Sequence, residues 1–212
     1  MSVARVKICG INSAIAIDVA VEAGADWVGY NFFPRSPRYV TAAQAAALMA
    51  RHPNGPARIG LFVAPTAQDV ADTLATCALD GLQLYGDVDL AALRAQFGLP
   101  LWRAVGVGTQ ADLPSDPGQA DMLLIEAKAP PGATRPGGNA RTFDWSMLRG
   151  WTSPCPWMLA GGLTPDNVAA AICATGATAV DVSSGVESAP GVKDPARIRA
   201  FIAAARGQGT LP

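Results

Sequence analysis

Short runs of apolar, often β-branched residues alternate along the chain with alanine-rich stretches whose apolar positions recur at helical spacing. The runs fall at residues 5–8, 27–32, 57–62, 81–84, 101–105, 122–125, 157–159 and 179–182. They are apolar at nearly every position rather than at alternate ones, the pattern of parallel strands covered on both faces. Between them the spacing predicts helices over 14–23, 42–51, 67–75, 90–97 and 167–174. A last helix over 194–205 buries a stripe of Ile198, Phe201 and Ile202. Thr41 is suited to cap the second helix, and Thr164-Pro165 puts a hydroxyl ahead of a proline at a helix start. Gly24 and Gly176 fall just past helix ends, where a left-handed residue is wanted.

Eight such units in 212 residues point to a single-domain α/β chain, a closed (β/α)8 TIM barrel near the lower size limit of that fold. The barrel is expected over residues 1–206, with 207–212 a short tail. An open doubly wound sheet is the competing arrangement. It usually carries a glycine-rich turn after its first strand, and Cys9-Gly10-Ile11-Asn12 matches that turn poorly. One segment breaks the rhythm: Glu126 to Thr142 contains three prolines and three glycines, reads as a long loop, and is expected to act as a lid.

Composition narrows the function classes. Half of the residues are hydrophobic, 16% are charged and the mean hydropathy is +0.22, which excludes a disordered chain. A net charge of −1 gives no global field for nucleic acid or an anionic membrane. No apolar run reaches the ~18 residues of a membrane span, and no secretory leader is legible. A cytoplasmic protein is expected. The four cysteines stand far apart and His52 is the only histidine, so neither a disulfide framework nor a zinc site is expected.

In a (β/α) barrel the chemistry gathers where the strands end. Those positions hold Cys9 after the first strand, Arg35 and Arg38 after the second, Tyr85 after the fourth and Glu126 after the sixth. Gly161-Gly162 follows the seventh strand; Asp181 and Ser183-Ser184-Gly185 close the eighth. The two glycine-rich loops suit a phosphate, because backbone N–H groups and a helix N-terminus bind an anion without net positive charge. Lys7 precedes Cys9 by two residues on one strand, so both face the same way and the ammonium favours a thiolate. Arg35 reads as a solvated loop charge, and Cys77, Cys155 and Cys173 as structural.

An ordered set of motifs carries a family resemblance. Lys7-Ile8-Cys9-Gly10, Phe33-Pro34-Arg35-Ser36-Pro37-Arg38-Tyr39 and Leu82-Gln83-Leu84-Tyr85-Gly86 resemble signatures of the phosphoribosylanthranilate isomerases of the tryptophan pathway. So do Phe143-Asp144-Trp145, Leu159-Ala160-Gly161-Gly162-Leu163 and Val180-Asp181-Val182-Ser183-Ser184-Gly185-Val186-Glu187. The resemblance runs from Lys7 to about Ile202. It implies a (β/α)8 barrel that performs an Amadori rearrangement of N-(5-phosphoribosyl)anthranilate without cofactor or metal. A carboxylic acid after strand six protonates the ribose ring oxygen, and a cysteine after strand one takes the C2 proton.

Carried over by motif position, Cys9 is the base and Glu126 the acid. Lys7, Arg38, Tyr85 and Asp181 bind substrate, Arg38 through the anthranilate carboxylate and Asp181 through the ribose hydroxyls. Gly161, Gly162, Ser183, Ser184 and Gly185 bind phosphate. The chain departs from the family in three places: Glu126 stands for an aspartate, Tyr85 for a common histidine, and Gly138-Asn139-Ala140 for a more glycine-rich loop. The expected partner is a small phosphosugar, not nucleic acid or membrane, and the chain is a monomer or homodimer. A catalytically weak phosphate-binding barrel, or another phosphosugar aldose–ketose isomerase, is the alternative.

Overall fold

The fold, a computed structural model, describes residues 3–130, 132 and 144–207. Eight parallel strands close into one barrel: β1 (Arg5–Cys9), β2 (Trp27–Asn31), β3 (Ala57–Val63), β4 (Gly81–Tyr85), β5 (Leu101–Val107), β6 (Met122–Ala127), β7 (Trp157–Leu159) and β8 (Ala179–Val182). Each pairs with its neighbours in sequence, and β8 closes the ring on β1. The outer layer consists of α1 (Ala14–Glu22), α2 (Ala42–Met49), α3 (Ala67–Leu74), α4 (Leu90–Phe97), α5 (Val168–Thr175) and α6 (Pro195–Ala205). Single 3₁₀ turns, Gln110–Asp112 and Trp145–Leu148, stand in the connections after β5 and β6. A small hairpin, β9 (Glu187–Ala189) with β10 (Val192–Lys193), follows β8.

The predicted strands all form, and most extend further than their apolar runs. β1, β4 and β6 run on to include Cys9, Tyr85 and Glu126. These residues were expected after the strands. Parallel pairing carries them inside, because Cys9 lies opposite Gly29, Tyr85 opposite Val63 and Glu126 opposite Gly106. A polar residue at a strand end ends an apolar run without ending the ladder. The candidate groups therefore stand on ladder backbone, which fixes them better than a loop does.

Helix starts follow the local chemistry. Thr41 caps α2 in a reciprocal capping box with Gln44, and Thr66 does the same for α3 with Asp69. The expectation at Thr164-Pro165 needs correction. A turn occupies 165–167, the regular helix begins at Val168, and Asn167 spends its side-chain oxygen on the Thr164 N–H.

Two kinds of core result. Between barrel and helices lies a continuous apolar layer that includes Ile8, Val28, Tyr30, Leu82, Leu123, Ile125 and Phe201. Inside the barrel, Trp27, Ile59, Trp102, Leu124, Met158 and Ala179 form a separate plug, with Trp27 and Trp102 edge to face at 5.3 Å. Above that plug the inward positions turn polar. Period-two alternation puts Lys7 and Cys9 on the same strand face, and likewise Gln83 with Tyr85, and all four are buried. Of the expected lid, Glu126 to Thr142, residues 131 and 133–142 lie outside the described residues, as does Phe143 of the Phe-Asp-Trp motif, while Glu126 and Ala127 end β6. The expected tail from 208 onward lies outside the described residues too.

Candidate active site

The end of the barrel where the strands finish holds an open cavity. Its lining includes Cys9, Arg38, Tyr85, Glu126, Gly161, Gly162, Asp181, Ser183 and Ser184. Of the residues expected at the site, Lys7 and Gly185 are not part of the wall. Lys7 is fully buried behind it. Gly185 serves the fold of the loop, since a Cβ there would run into the Leu163 carbonyl.

Lys7 Nζ donates to Asp181 Oδ1 at 2.8 Å in a buried pair between the adjacent strands β1 and β8. Burial works against the ammonium, but Asp181 and Cys9 more than offset it and hold Lys7 above its ordinary pKa. Gly29, on the next strand, leaves room for this group: a Cβ there would stand 3.0 Å from both Cys9 Sγ and Lys7 Nζ. For Cys9, burial pushes the thiol up and outweighs the downward pull of Lys7. The expectation of a ready thiolate is corrected to that extent, because desolvation of the anion costs more than one neighbouring cation returns.

Tyr85 and Glu126 form a second group. Gln83 Nε2 donates to the Tyr85 hydroxyl oxygen at 3.2 Å, and the Tyr85 side chain is hydrogen-bonded to Glu126. With its oxygen accepting from Gln83, the phenol is placed to donate to the Glu126 carboxyl. Burial, reinforced by the Glu126 charge, keeps the phenol well above its ordinary pKa, so Tyr85 acts as a neutral donor. Arg35 is exposed, as expected of a solvated loop charge. Asp121 caps the Leu101 N–H before β6, away from the cavity, and Asp144 caps the turn at Trp145–Leu148.

The third group sits at the rim. Arg38 is buried and donates from Nε and Nη2 to the two oxygens of Glu187, at 2.6 and 2.8 Å. Lys193 Nζ reaches Glu187 Oε1 at 2.8 Å and the Ser183 carbonyl at 2.9 Å. Burial favours the neutral Glu187 acid, yet the two cations win and hold its pKa down at about 2. Lys193 is shifted down by burial, with Glu187 opposing. In the sequence Glu187 stands out only as part of a motif, and Lys193 not at all. A glutamate and a lysine six residues apart, around Pro190-Gly191, look like any solvated turn.

The glycine-rich loops complete the site. Gly161 and Gly162 both take positive φ, 84° and 63°, which turns the chain sharply off β7. Among the described residues, no acceptor takes the amide N–H of Gly161, Gly162, Ser184 or Gly185. Three of these, Gly161, Gly162 and Ser184, line the cavity at two adjoining strand ends, an arrangement that suits an anion. Three buried cations, Lys7, Arg38 and Lys193, stand with three buried carboxyl groups, Asp181, Glu187 and Glu126.

Comparison with known proteins agrees with this geometry. Residues 6–204 match the model of a family described as N-(5'-phosphoribosyl)anthranilate (PRA) isomerase. The chain is 55% identical over 205 residues to the N-(5'-phosphoribosyl)anthranilate isomerase of Acidiphilium cryptum, covering 95% of this chain and 98% of that one. Against the corresponding protein of Paramagnetospirillum magneticum it is 53% identical over 209 residues, covering 96% and 97%. Among solved structures, it resembles the monomers generated from dimeric phosphoribosylanthranilate isomerase of Thermotoga maritima. There the TM-score is 0.82 at 35% identity, covering 96% of this chain and 99% of that one. A phosphoribosylanthranilate isomerase in complex with reduced 1-(o-carboxyphenylamino)-1-deoxyribulose 5-phosphate is similar at TM-score 0.81 and 33% identity, with the same coverage.

Proposed function

The chain belongs to the N-(5'-phosphoribosyl)anthranilate isomerase family, and we propose that it works through Cys9 as general base and Glu126 as general acid. It catalyses the rearrangement of N-(5'-phosphoribosyl)anthranilate to 1-(2-carboxyphenylamino)-1-deoxyribulose 5-phosphate in tryptophan biosynthesis. The observation that supports the residue assignment is the single cavity lined by Cys9, Glu126, Arg38, Asp181 and both glycine-rich loops. Substrate phosphate occupies the free amides of Gly161, Gly162 and Ser184 after β7 and β8, and the anthranilate carboxylate meets Arg38. Asp181 keeps one carboxylate oxygen on Lys7 and turns the other toward the ribose hydroxyls.

As the general acid, Glu126 delivers a proton to the ribose ring oxygen. The C1–O bond breaks, and the anthranilate nitrogen supplies the electron pair that forms the Schiff base. The cationic imine acidifies C2–H, whose proton passes to Cys9. The resulting enolamine gains a proton at C1 and loses one from the C2 hydroxyl to give the ketone. Hydrogen has moved from C2 to C1, the atoms are those of the substrate, and no external oxidant or reductant enters. Only the thiolate accepts a proton, so turnover follows the ionised fraction of Cys9, which Lys7 raises and burial lowers. Tyr85 holds the Glu126 carboxyl in place.

The substrate is a small soluble phosphosugar, which fits a cytoplasmic protein that engages neither nucleic acid nor membrane. Among the described residues no helix is long and apolar enough to cross a membrane. The chain is a monomer or a homodimer. The assignment is tested with freshly generated phosphoribosylanthranilate, following the loss of its anthranilate fluorescence. The intact chain turns over and Cys9→Ser does not, while the variant still binds the reduced product analogue. Near-normal turnover by Cys9→Ser removes Cys9 from the mechanism.

A further inference from the structure

The guanidinium of Arg38 has five N–H donors in a planar fork, and only its side-on edge, Nε with one hydrogen of Nη2, is committed to Glu187. The end-on edge, Nη1 with the second hydrogen of Nη2, retains a pair of parallel donors. Glu187 is itself saturated. Oε1 accepts from Arg38 Nε and Lys193 Nζ, and Oε2 accepts from Arg38 Nη2 and the Gly191 N–H at 3.2 Å. Its own backbone carbonyl takes Arg197 Nη1 at 2.9 Å. Lys193 continues the network to Ser183, whose hydroxyl donates to the Cys9 carbonyl at 3.1 Å. The hairpin β9–β10 thus joins the rim arginine to the phosphate loop and to the backbone of the base.

A carboxylate whose only task was to neutralise a buried arginine would not need a second buried cation. The added Lys193 leaves the Arg38–Glu187–Lys193 group positive, so the arginine keeps its attraction for an anion while its plane is held. We propose that Glu187 is a positioning residue for substrate specificity: by clamping the side-on edge of Arg38 it turns the end-on edge to the cavity, where that edge selects a ligand bearing an aromatic carboxylate. The inference rests on the reading that Arg38 meets this carboxylate.

Two probes test it by calorimetry on the full chain: reduced 1-(o-carboxyphenylamino)-1-deoxyribulose 5-phosphate, and the same molecule without its ring carboxylate. Arg38→Met weakens the carboxylated probe about 30-fold or more and the other little. If Arg38→Met weakens both alike or neither, the Arg38 reading fails and takes the inference with it. Glu187→Gln weakens the carboxylated probe at least about tenfold and the other less than about threefold, and the effect vanishes in the Arg38→Met background. With Arg38→Met behaving as expected, three results overturn the positioning role alone. Glu187→Gln leaves the carboxylated probe unchanged, or weakens both probes equally, or acts undiminished without Arg38.

Should Glu187→Gln fail to fold, the wild-type complex with the carboxylated probe still decides the matter. A crystal structure in which Arg38 keeps both bonds to Glu187 and meets the ring carboxylate end-on upholds the clamp. An Arg38 that leaves Glu187 to offer its side-on edge overturns it.

Discussion

The two ends of the barrel use the same residue types for opposite purposes. At the end where the strands begin, three aspartates just ahead of β2, β4 and β6 reach back to the neighbouring strand. Asp26 accepts the Val6 N–H at 2.7 Å, Asp80 the Arg58 N–H at 2.8 Å and Asp121 the Leu101 N–H at 2.7 Å. The ion pair of Asp121 lies in water: the side chains of Arg94 and Asp121 are 36% and 45% exposed. Exposed pairs contribute little, commonly below ~1 kcal/mol, so the value of these aspartates lies in the backbone N–H groups they satisfy. At the other end, Arg38 and Glu187 are each 4% exposed, and Lys7 and Lys193 not at all. Burying charge costs several kcal/mol per ion and is a poor way to gain stability. Charges at the end where the strands begin stay wet, and those around the cavity are kept dry, where an incoming anion would feel them at low dielectric.

The sharpest break in that comparison comes from the dry end. Cys9→Ser lowers kcat by about 10⁴, the upper end of what a positioned acid or base contributes, without moving the melting temperature by more than a few degrees. The anthranilate fluorescence assay checks the first figure and a thermal melt the second. Glu126→Gln removes the proton donor and lowers kcat by about 10²–10³. Glu126→Asp restores the family's residue but draws the carboxyl back by about 1.5 Å, away from Tyr85. With β6 holding the backbone, kcat falls about 10²-fold. Wild-type kcat in Glu126→Gln would shift the acid role to Asp181.

A pH titration separates the two ends by stability. Glu187 sits at about 2 in the fold against 4.5 for the ordinary carboxyl. The unfolded chain therefore takes up the proton first as pH falls. The stabilisation is complete above about 4.5 and is lost as pH drops towards about 2, to the extent of roughly 3 kcal/mol. Urea melts at pH 5.5 and 2.5 measure it, and Glu187→Gln lacks that part of the slope. The smallest effect belongs to the wet end. Asp121→Ala strands the Leu101 N–H and costs about 1–3 kcal/mol of stability, with kcat unchanged. A fall in kcat there would mean that the two ends are coupled.

Much of this molecule was legible in the chain because parallel strands bury both faces and so write themselves as unbroken apolar runs. All eight were found. The apolar runs end one residue short of Cys9, Tyr85 and Glu126, because hydropathy stops there while the hydrogen-bonded ladder runs on. That Cys9, Glu126 and Asp181 would line one cavity was legible, since a polar group at the end of a buried run points to a barrel mouth. Gln83 and Lys193 were not. Gln83 lies inside an apolar run, where its partner, the Tyr85 hydroxyl, is fixed by strand geometry. Lys193 sits in a turn-like sequence, and nothing local marks it as fully buried.

The sequence by itself determined the order of strands and helices, the inward set of side chains and the two glycine-rich loops, because each depends on residues within a few positions of one another. Tertiary structure decided which charges meet. Lys7 finds Asp181 across 174 residues, and Arg38 finds Glu187 across 149. Those pairs exist because β8 closes on β1 and lays the hairpin β9–β10 against the loop after β2. Ion pairing depends on distance and dielectric in space, and until the ring closes these residues have neither a shared site nor exclusion from water.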